Sequence, residues 1–303
     1  MGTDIVRRLK LKTTWPLHLM LVVPIVLLVI FCYLPMVGIV ISFQNFLPTK
    51  GFFGSKWVGL AHYQFVFGLE DTMKVIRNTV VISTGKIICG IVFSIFIAIL
   101  LNEVPARHVR KTIQTFVFFP FFVSWVILGG VMVDLLSLKG GINQLVASLG
   151  MKPRMFLGDN SLFVPVVIIT NTWKDFGYNL VLFYAAIMNV DPALYEAAAI
   201  DGAGRMRQTI SVTLPAMMPI IAVVSLLSLG GVLNGGFDQI FNLYNILVYE
   251  TGDILDTYIY RLGLLSGQYS FATAIGLFKS VVGMVLIVIS YWAADRFAGY
   301  RIM

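Results

Sequence analysis

The chain has 303 residues, 58% of them hydrophobic and only 12% charged, with a mean hydropathy of +0.87. A soluble domain carries about 25% charged residues, so this composition excludes a soluble enzyme or binding module and implies an integral membrane protein. The net charge of +7 reflects how basic loops are distributed about a bilayer and does not mark a nucleic-acid partner.

Spanning the hydrocarbon takes about 20 mostly apolar residues per helix. Six stretches qualify in chain order, roughly 17–44, 78–101, 113–136, 162–188, 216–236 and 271–294. The alternating segments of about ten residues that build a β-barrel are not seen. The expected fold is all-α, one polytopic domain over residues 1–303 with six transmembrane helices.

A basic head (Arg7, Arg8, Lys10, Lys12) leads into a first span too long for the apolar region of a cleavable signal. Pro24 and Pro35 lie inside that span. The segment that follows is rich in turns, and its Trp57, His62 and Tyr63 suit a membrane interface. The second span closes at Asn102, and Glu103 to Lys111 form a short basic loop. Pro120 is expected to kink the third span. A glycine- and asparagine-rich loop then runs over 137–161. The fourth span carries polar residues, and the fifth ends in the glycine-rich run Gly230 to Gly236. Phe237 to Asn245 and a long loop to Tyr269 precede the last span. Cys32 and Cys89 both fall within spans, which implies neither a disulfide framework nor a metal site.

Six spans put both termini on one side. Eleven Lys and Arg residues fall there (Arg7, Arg8, Lys10, Lys12, Arg107, Arg110, Lys111, Arg205, Arg207, Arg296, Arg301), against eight on the other side and three inside spans. The bias is strongest beside the helix ends, where it sets orientation. Both termini, and the loop over 190–215, are therefore expected in the cytoplasm of a cell whose cytoplasmic membrane holds the chain.

That loop reads EAAAIDGAGRMRQTISVTLPAMMP from Glu196 to Pro219. Asp191 is a helix N-cap with Pro192 at the first helical position, and Glu196 lies near the positive end of the helix dipole. Asp201 and Gly202 supply a turn. Gly204 to Val212 is expected to form a second short helix stopped before Pro215. The small or flexible apolar residues of this helix–turn–helix suit a protein groove.

Glu196-Ala197-Ala198, Asp201-Gly202-Ala203 and Leu214-Pro215 stand at the offsets of the EAA loop, and over nearly its whole length the chain resembles the permease subunits of binding-protein-dependent ABC importers. Thr209 stands where that family commonly has an aromatic, and Val212 where it has isoleucine. The resemblance implies a type I importer permease fold and a loop seated in a cleft of a cytoplasmic ATPase subunit. It implies as partners a second permease, two ATPase subunits and an extracellular solute-binding lipoprotein. The chain has no GxxxxGK[ST] phosphate loop, so it is expected to be no enzyme and to hold no cofactor; ATP and magnesium belong to the partner ATPases.

Polar residues inside a span usually face a cavity or a partner. Asn171, Lys174, Asp175, Tyr178 and Asn179 follow the i, i+3, i+4, i+7, i+8 pattern of one helix face, with Trp173 beside it. Asn234, Asp238, Gln239, Asn242, Tyr244 and Asn245 add amide, carboxylate and aromatic groups. Such groups suit the hydroxyl pairs and C–H faces of a sugar. Phe237 to Asn245 and Thr257 to Ser280 also look like the corresponding stretches of multiple-sugar and polysaccharide permeases, so the expected cargo is an oligosaccharide. Lys86 and Lys279 fit a snorkelling role; if they and Lys174 face the path instead, the cargo is an acidic sugar. The alternatives are an ion-coupled secondary transporter, a permease for another solute, and a membrane enzyme acting on lipid-linked sugars. The missing internal repeat and the missing carboxylate or metal cluster speak against the first and last of these.

Overall fold

The structure is a computed structural model that describes residue 15 and residues 18–298. The basic head and Arg301 lie outside the described residues. Helix α1 (His18–Phe43) is followed by the short strand β1 (Gln44–Asn45), α2 (Gly51–Gly54), β2 (Lys56–Trp57) and α3 (Ala61–Gly68). The two strands pair antiparallel, Gln44 opposite Trp57. Next come α4 (Glu70–Asn102), α5 (Arg107–Phe122), α6 (Trp125–Leu136), α7 (Gly141–Ser148) and α8 (Asn160–Met188). The elbow holds α9 (Pro192–Ile200) and α10 (Arg205–Gln208), which runs through a π-wound turn, Thr209–Thr213, into α11 (Leu214–Leu229). The chain closes with α12 (Phe237–Leu243), α13 (Tyr249–Gly252), α14 (Leu255–Tyr260) and α15 (Tyr269–Ala298).

Among the described residues five helical stretches are long and apolar enough to cross a membrane: His18–Phe43, Glu70–Asn102, Trp125–Ser148, Arg205–Leu229 and Tyr269–Arg296. Helix α8 has 29 residues, about 44 Å at 1.5 Å per residue. It has the length of a sixth span, but its amides and charges lower its hydropathy.

The structure departs from the sequence expectations at four places. The stretch 113–136 is not one kinked helix: α5 ends at Phe122, α6 starts at Trp125, and Pro120 sits inside α5 without breaking it. The break falls at Val123–Ser124, where Ser124 caps α6 by accepting from the Ile127 amide at 3.4 Å. The fifth span ends at Leu229, seven residues before the expected 236. The helix from Arg205 does not stop before Pro215. Its turn widens instead, Leu214 N donating to Thr209 O, and this moves aside the Ser211 carbonyl that the proline ring would strike in an α-helix. Finally, the stretch from Asn245 to Tyr269 is wound into helical turns, with Val248, Ile254, Leu255 and Thr257 buried.

Helices α4 and α8 make the most extensive contact in the molecule. Two apolar clusters lie along this pair. One joins Ile82 of α4 to Phe163 and Val167 of α8 and to Ile240, Leu243, Val248 and Ile254. The other joins Ile91 and Ala98 to Leu180, Phe183 and Ile187, with Met217 and Val224 of α11. A third cluster centres on Val66, Val75, Leu255, Tyr258 and Ile275. Close van der Waals packing is what holds helices together once lipid replaces water. The stretch of α4 and α8 between the first two clusters is where polar side chains gather.

Candidate functional site

A cavity of about 310 Å³ opens between the two apolar clusters. Helix α4 gives it Ser83 and Lys86, and α8 gives it Asn171, Thr172, Asp175 and Asn179. The unwound stretch after α11 adds Asn234 and Gly236. Asn171, Asp175 and Asn179 are each one turn apart, so a single face of α8 presents all three. The buried hydroxyls of Ser83 and Thr172 have no hydrogen-bond partner among the described residues. The wall therefore offers amide, hydroxyl and carboxylate groups together, in the size range of a small-molecule site.

The unwound stretch exists because glycine permits it. Gly236 has φ +85°, a left-handed conformation that L side chains rarely adopt, and a Cβ there would come within 2.9 Å of Lys86 Nζ. That amine donates to the Gly235 carbonyl at 2.7 Å. A second cavity, about 550 Å³, lies between the stretch after α11, α14 and α15 and is lined by Asn234, Asp256, Lys279 and Ser280. Lys279 is ion-paired with Asp256. Asn234 faces both cavities.

The polar stripe on α8 is thus divided. Asn171 Nδ2 donates to Asp175 Oδ2 at 2.5 Å, and both line the cavity. Lys174 leaves the stripe: successive residues turn by 100°, which sets it 60° to the far side of Asn171, where α5 arrives. It is buried, donates to Phe121 O at 3.0 Å and to Asp175 Oδ1 at 3.3 Å, and lies over the rings of Phe121 and Trp125. The Phe121 carbonyl is one of those freed by the α5–α6 break, so Lys174 caps a broken helix. Tyr178 stacks on Phe121 at 5.5 Å, and Trp173 is exposed.

Of the residues from 238 to 245 expected on the path, none lines either of these two cavities. Gln239 is buried and donates to Val167 O at 2.8 Å and to Thr170 Oγ1 at 2.9 Å. Asn242 donates to Asp238 O, and Asn245 donates to Leu157 O at 2.8 Å while capping the turn at Leu247. Asp238 is exposed and lines neither cavity. Sequence reasoning left Lys86 and Lys279 open between snorkelling and facing the path, and passed over Ser83, Thr172 and Asp256. A charge inside an apolar run signalled the two lysines; nothing signalled the hydroxyls.

The elbow is built at the far end of α8. Asp191 Oδ1 accepts from Ala193 N at 2.9 Å, with Pro192 opening α9. Gly202, at φ +77°, closes it: Ala203 N donates to Ala198 O and Gly202 N to Ala199 O, the paired bonds of a Schellman end. No residue of α9 is buried, and Glu196, Ala197, Asp201 and Pro215 are exposed. Ala198, Ala203 and Leu214 are half-buried. Ile200 and Met206 are 87% and 74% exposed, an apolar surface on an otherwise polar elbow. Two contacts tie the elbow to the helices. Tyr195 OH bonds Thr213 Oγ1 at 2.9 Å, and Arg205 Nη1 reaches Glu103 Oε2 at 3.1 Å.

Residues 90–299 match the family of binding-protein-dependent transport system inner membrane components. The polygalacturonan/rhamnogalacturonan transport system permease protein YteP of Bacillus subtilis (strain 168) is 39% identical over 282 residues, covering 93% of this chain and 88% of that protein. A chain of a bacterial ABC transporter involved in the import of the acidic polysaccharide alginate superposes with a TM-score of 0.86 at 37% identity, covering 95% of this chain and 98% of that one. A chain of a bacterial alginate ABC transporter in complex with alginate pentasaccharide-bound periplasmic protein gives 0.85 at 36%, covering 95% and 97%.

Proposed function

The chain belongs to the family of binding-protein-dependent transport system inner membrane components, and from that premise we propose that it forms half of the path by which an oligosaccharide, one bearing uronic acids, is imported. The observation that carries the path is the polar cavity between α4 and α8, with an apolar cluster packed on either side of it along the helix pair. The nature of the cargo is supported by YteP, named for polygalacturonan and rhamnogalacturonan, and by the transporter involved in the import of the acidic polysaccharide alginate.

The exposed elbow, with Glu196 and Asp201 at its rim and Ile200 and Met206 on its apolar face, docks in a cleft of an ATPase subunit. A second permease completes the path, and two ATPase subunits drive it. An extracellular binding protein delivers the cargo, a reading supported by the cargo-loaded periplasmic protein of the alginate complex. Nucleotide and magnesium are held by the ATPases, so this chain is a transport subunit without a catalytic centre. The elbow and both termini face the cytoplasm, as the distribution of Lys and Arg favours.

The mechanism follows from where the helices are continuous and where they are broken. Helices α4 and α8 form a frame, while the spans on either side of it are interrupted at Val123–Ser124 and at 230–236. Closure of the ATPases moves α9, and α9 moves α11 through Tyr195 and Thr213. The broken spans then reorient about the frame and expose the cavity to one side at a time. The test is uptake of tetragalacturonate by liposomes holding the whole complex. Transport that needs the binding protein and internal ATP supports the reading. Transport that continues without any ATPase and collapses with an uncoupler replaces it with an ion-coupled carrier.

A further inference from the structure

Lys86, Lys174 and Lys279 lie deep within the apolar helices, and they differ in what holds them. Lys174 has Asp175 and the Phe121 carbonyl, and Lys279 has Asp256. Lys86 has no carboxylate within ion-pair distance among the described residues; its one hydrogen bond goes to the carbonyl of Gly235. Gly235 stands between the end of α11 at Leu229 and the start of α12 at Phe237. An unsatisfied carbonyl at membrane depth is strongly disfavoured, so this bond holds the unwound 230–236 stretch against the frame helix α4. The same amine lines the 310 Å³ cavity.

We propose that Lys86 reads the cargo by exchange: a sugar carboxylate entering the cavity takes the Lys86 amine from the Gly235 carbonyl and so frees the 230–236 stretch to move. Lys86 is in this sense a specificity and positioning residue. A neutral sugar offers only hydroxyls, which hold an ammonium no better than the carbonyl it already has, whereas a carboxylate adds the attraction of opposite charges. Only an acidic cargo makes the exchange favourable. Asp175 also lines the cavity but forms no ion pair with Lys86 among the described residues; it is bonded to Asn171 and Lys174. The inference rests on the acidic cargo proposed above and adds to it the residue that recognises the acid and the backbone it releases.

The test uses the complete importer in liposomes, with Cys32 and Cys89 replaced by serine and Val232→Cys as a reporter in the 230–236 stretch. The probes are tetragalacturonate and its carboxyl-reduced, neutral counterpart. In the wild type the acidic tetramer speeds thiol labelling of residue 232 and raises ATPase activity, and the neutral one does neither. Lys86→Met is expected to label fast without sugar and to lose at least about tenfold of the acidic-over-neutral preference, the value of one charge-assisted hydrogen bond; Lys86→Arg retains both behaviours. A Lys86→Met importer that keeps the wild-type preference, or labels as slowly as the wild type, overturns the proposal. A wild type that responds to neither tetramer overturns the acidic cargo and the exchange together, whereas labelling without sugar separately decides whether Lys86 holds the break.

Discussion

Tyr195 and Thr213 share a 2.9 Å hydrogen bond that joins the exposed helix α9 to the π-wound start of the fifth span. The bond bridges the turn at Gly202, so a push on α9 reaches α11 without passing through the flexible backbone between them. Tyr195→Phe removes one neutral hydrogen bond, worth about 1 kcal/mol, and leaves the ring in place. The expected result is a complex of near-normal stability that hydrolyses ATP yet transports less sugar per ATP. Parallel measurement of uptake and hydrolysis in liposomes checks this; an unchanged ratio would remove Tyr195 from the transmission path.

Gly202 occupies a left-handed conformation with open space around its Cα. Substitution there is a backbone matter and involves no steric clash. Gly202→Ala is expected to strain the turn by about 1 kcal/mol. Gly202→Pro fixes φ near −65°, which the turn cannot accept, and should abolish co-purification with the ATPase while the spans still fold. Retention of the ATPase by the proline variant would show that the elbow is not the docking element.

Lys174 caps the broken third span and lines neither of the two cavities described. Lys174→Met keeps the stem in its aromatic surroundings but leaves the Phe121 carbonyl without its donor and Asp175 without its cation. A loss of about 2 kcal/mol is expected, read as a fall in melting temperature of the detergent-solubilised complex. The acidic-over-neutral preference should be unaffected. A variant with altered preference and normal stability would return Lys174 to the path.

Asp253 and Arg261 form a pair that anchors the helical turns between α12 and α15. Asp253 is almost fully buried and accepts from Arg261 at 2.6 Å and from Thr257 at 2.7 Å, and the guanidinium lies over the Tyr249 ring at 4.5 Å. Removing one partner of a buried pair costs about 3–5 kcal/mol. Arg261→Met is therefore expected to destabilise strongly, and the double variant Asp253→Asn with Arg261→Met to recover part of the loss. Thermal unfolding of the four-member cycle measures this; additive losses would mean that the two charges act independently.

Helical sequence signals were clear wherever a residue speaks for itself. The apolar stretches, the Asp191–Pro192 start, the turn at Asp201–Gly202 and the cavity face of Asn171, Asp175 and Asn179 could all be read from composition or spacing. The two helix breaks could not. Pro120 drew attention away from Val123–Ser124, where the residues themselves favour neither a helix nor its end. The segment from Asn245 to Tyr269 looked like a loop because its turns are too short to show a period.

By itself, then, the sequence determined the membrane class, the order of the apolar stretches, and the chemistry of the elbow, because each depends on residues within a few turns of one another. The tertiary structure alone decided which polar side chains face a cavity and which cap a carbonyl. Lys86, Lys174 and Gln239 are all polar groups in apolar surroundings, and each must find a partner there. Whether that partner is a backbone carbonyl freed by a helix break or a cargo in a cavity depends on which distant helix arrives beside it.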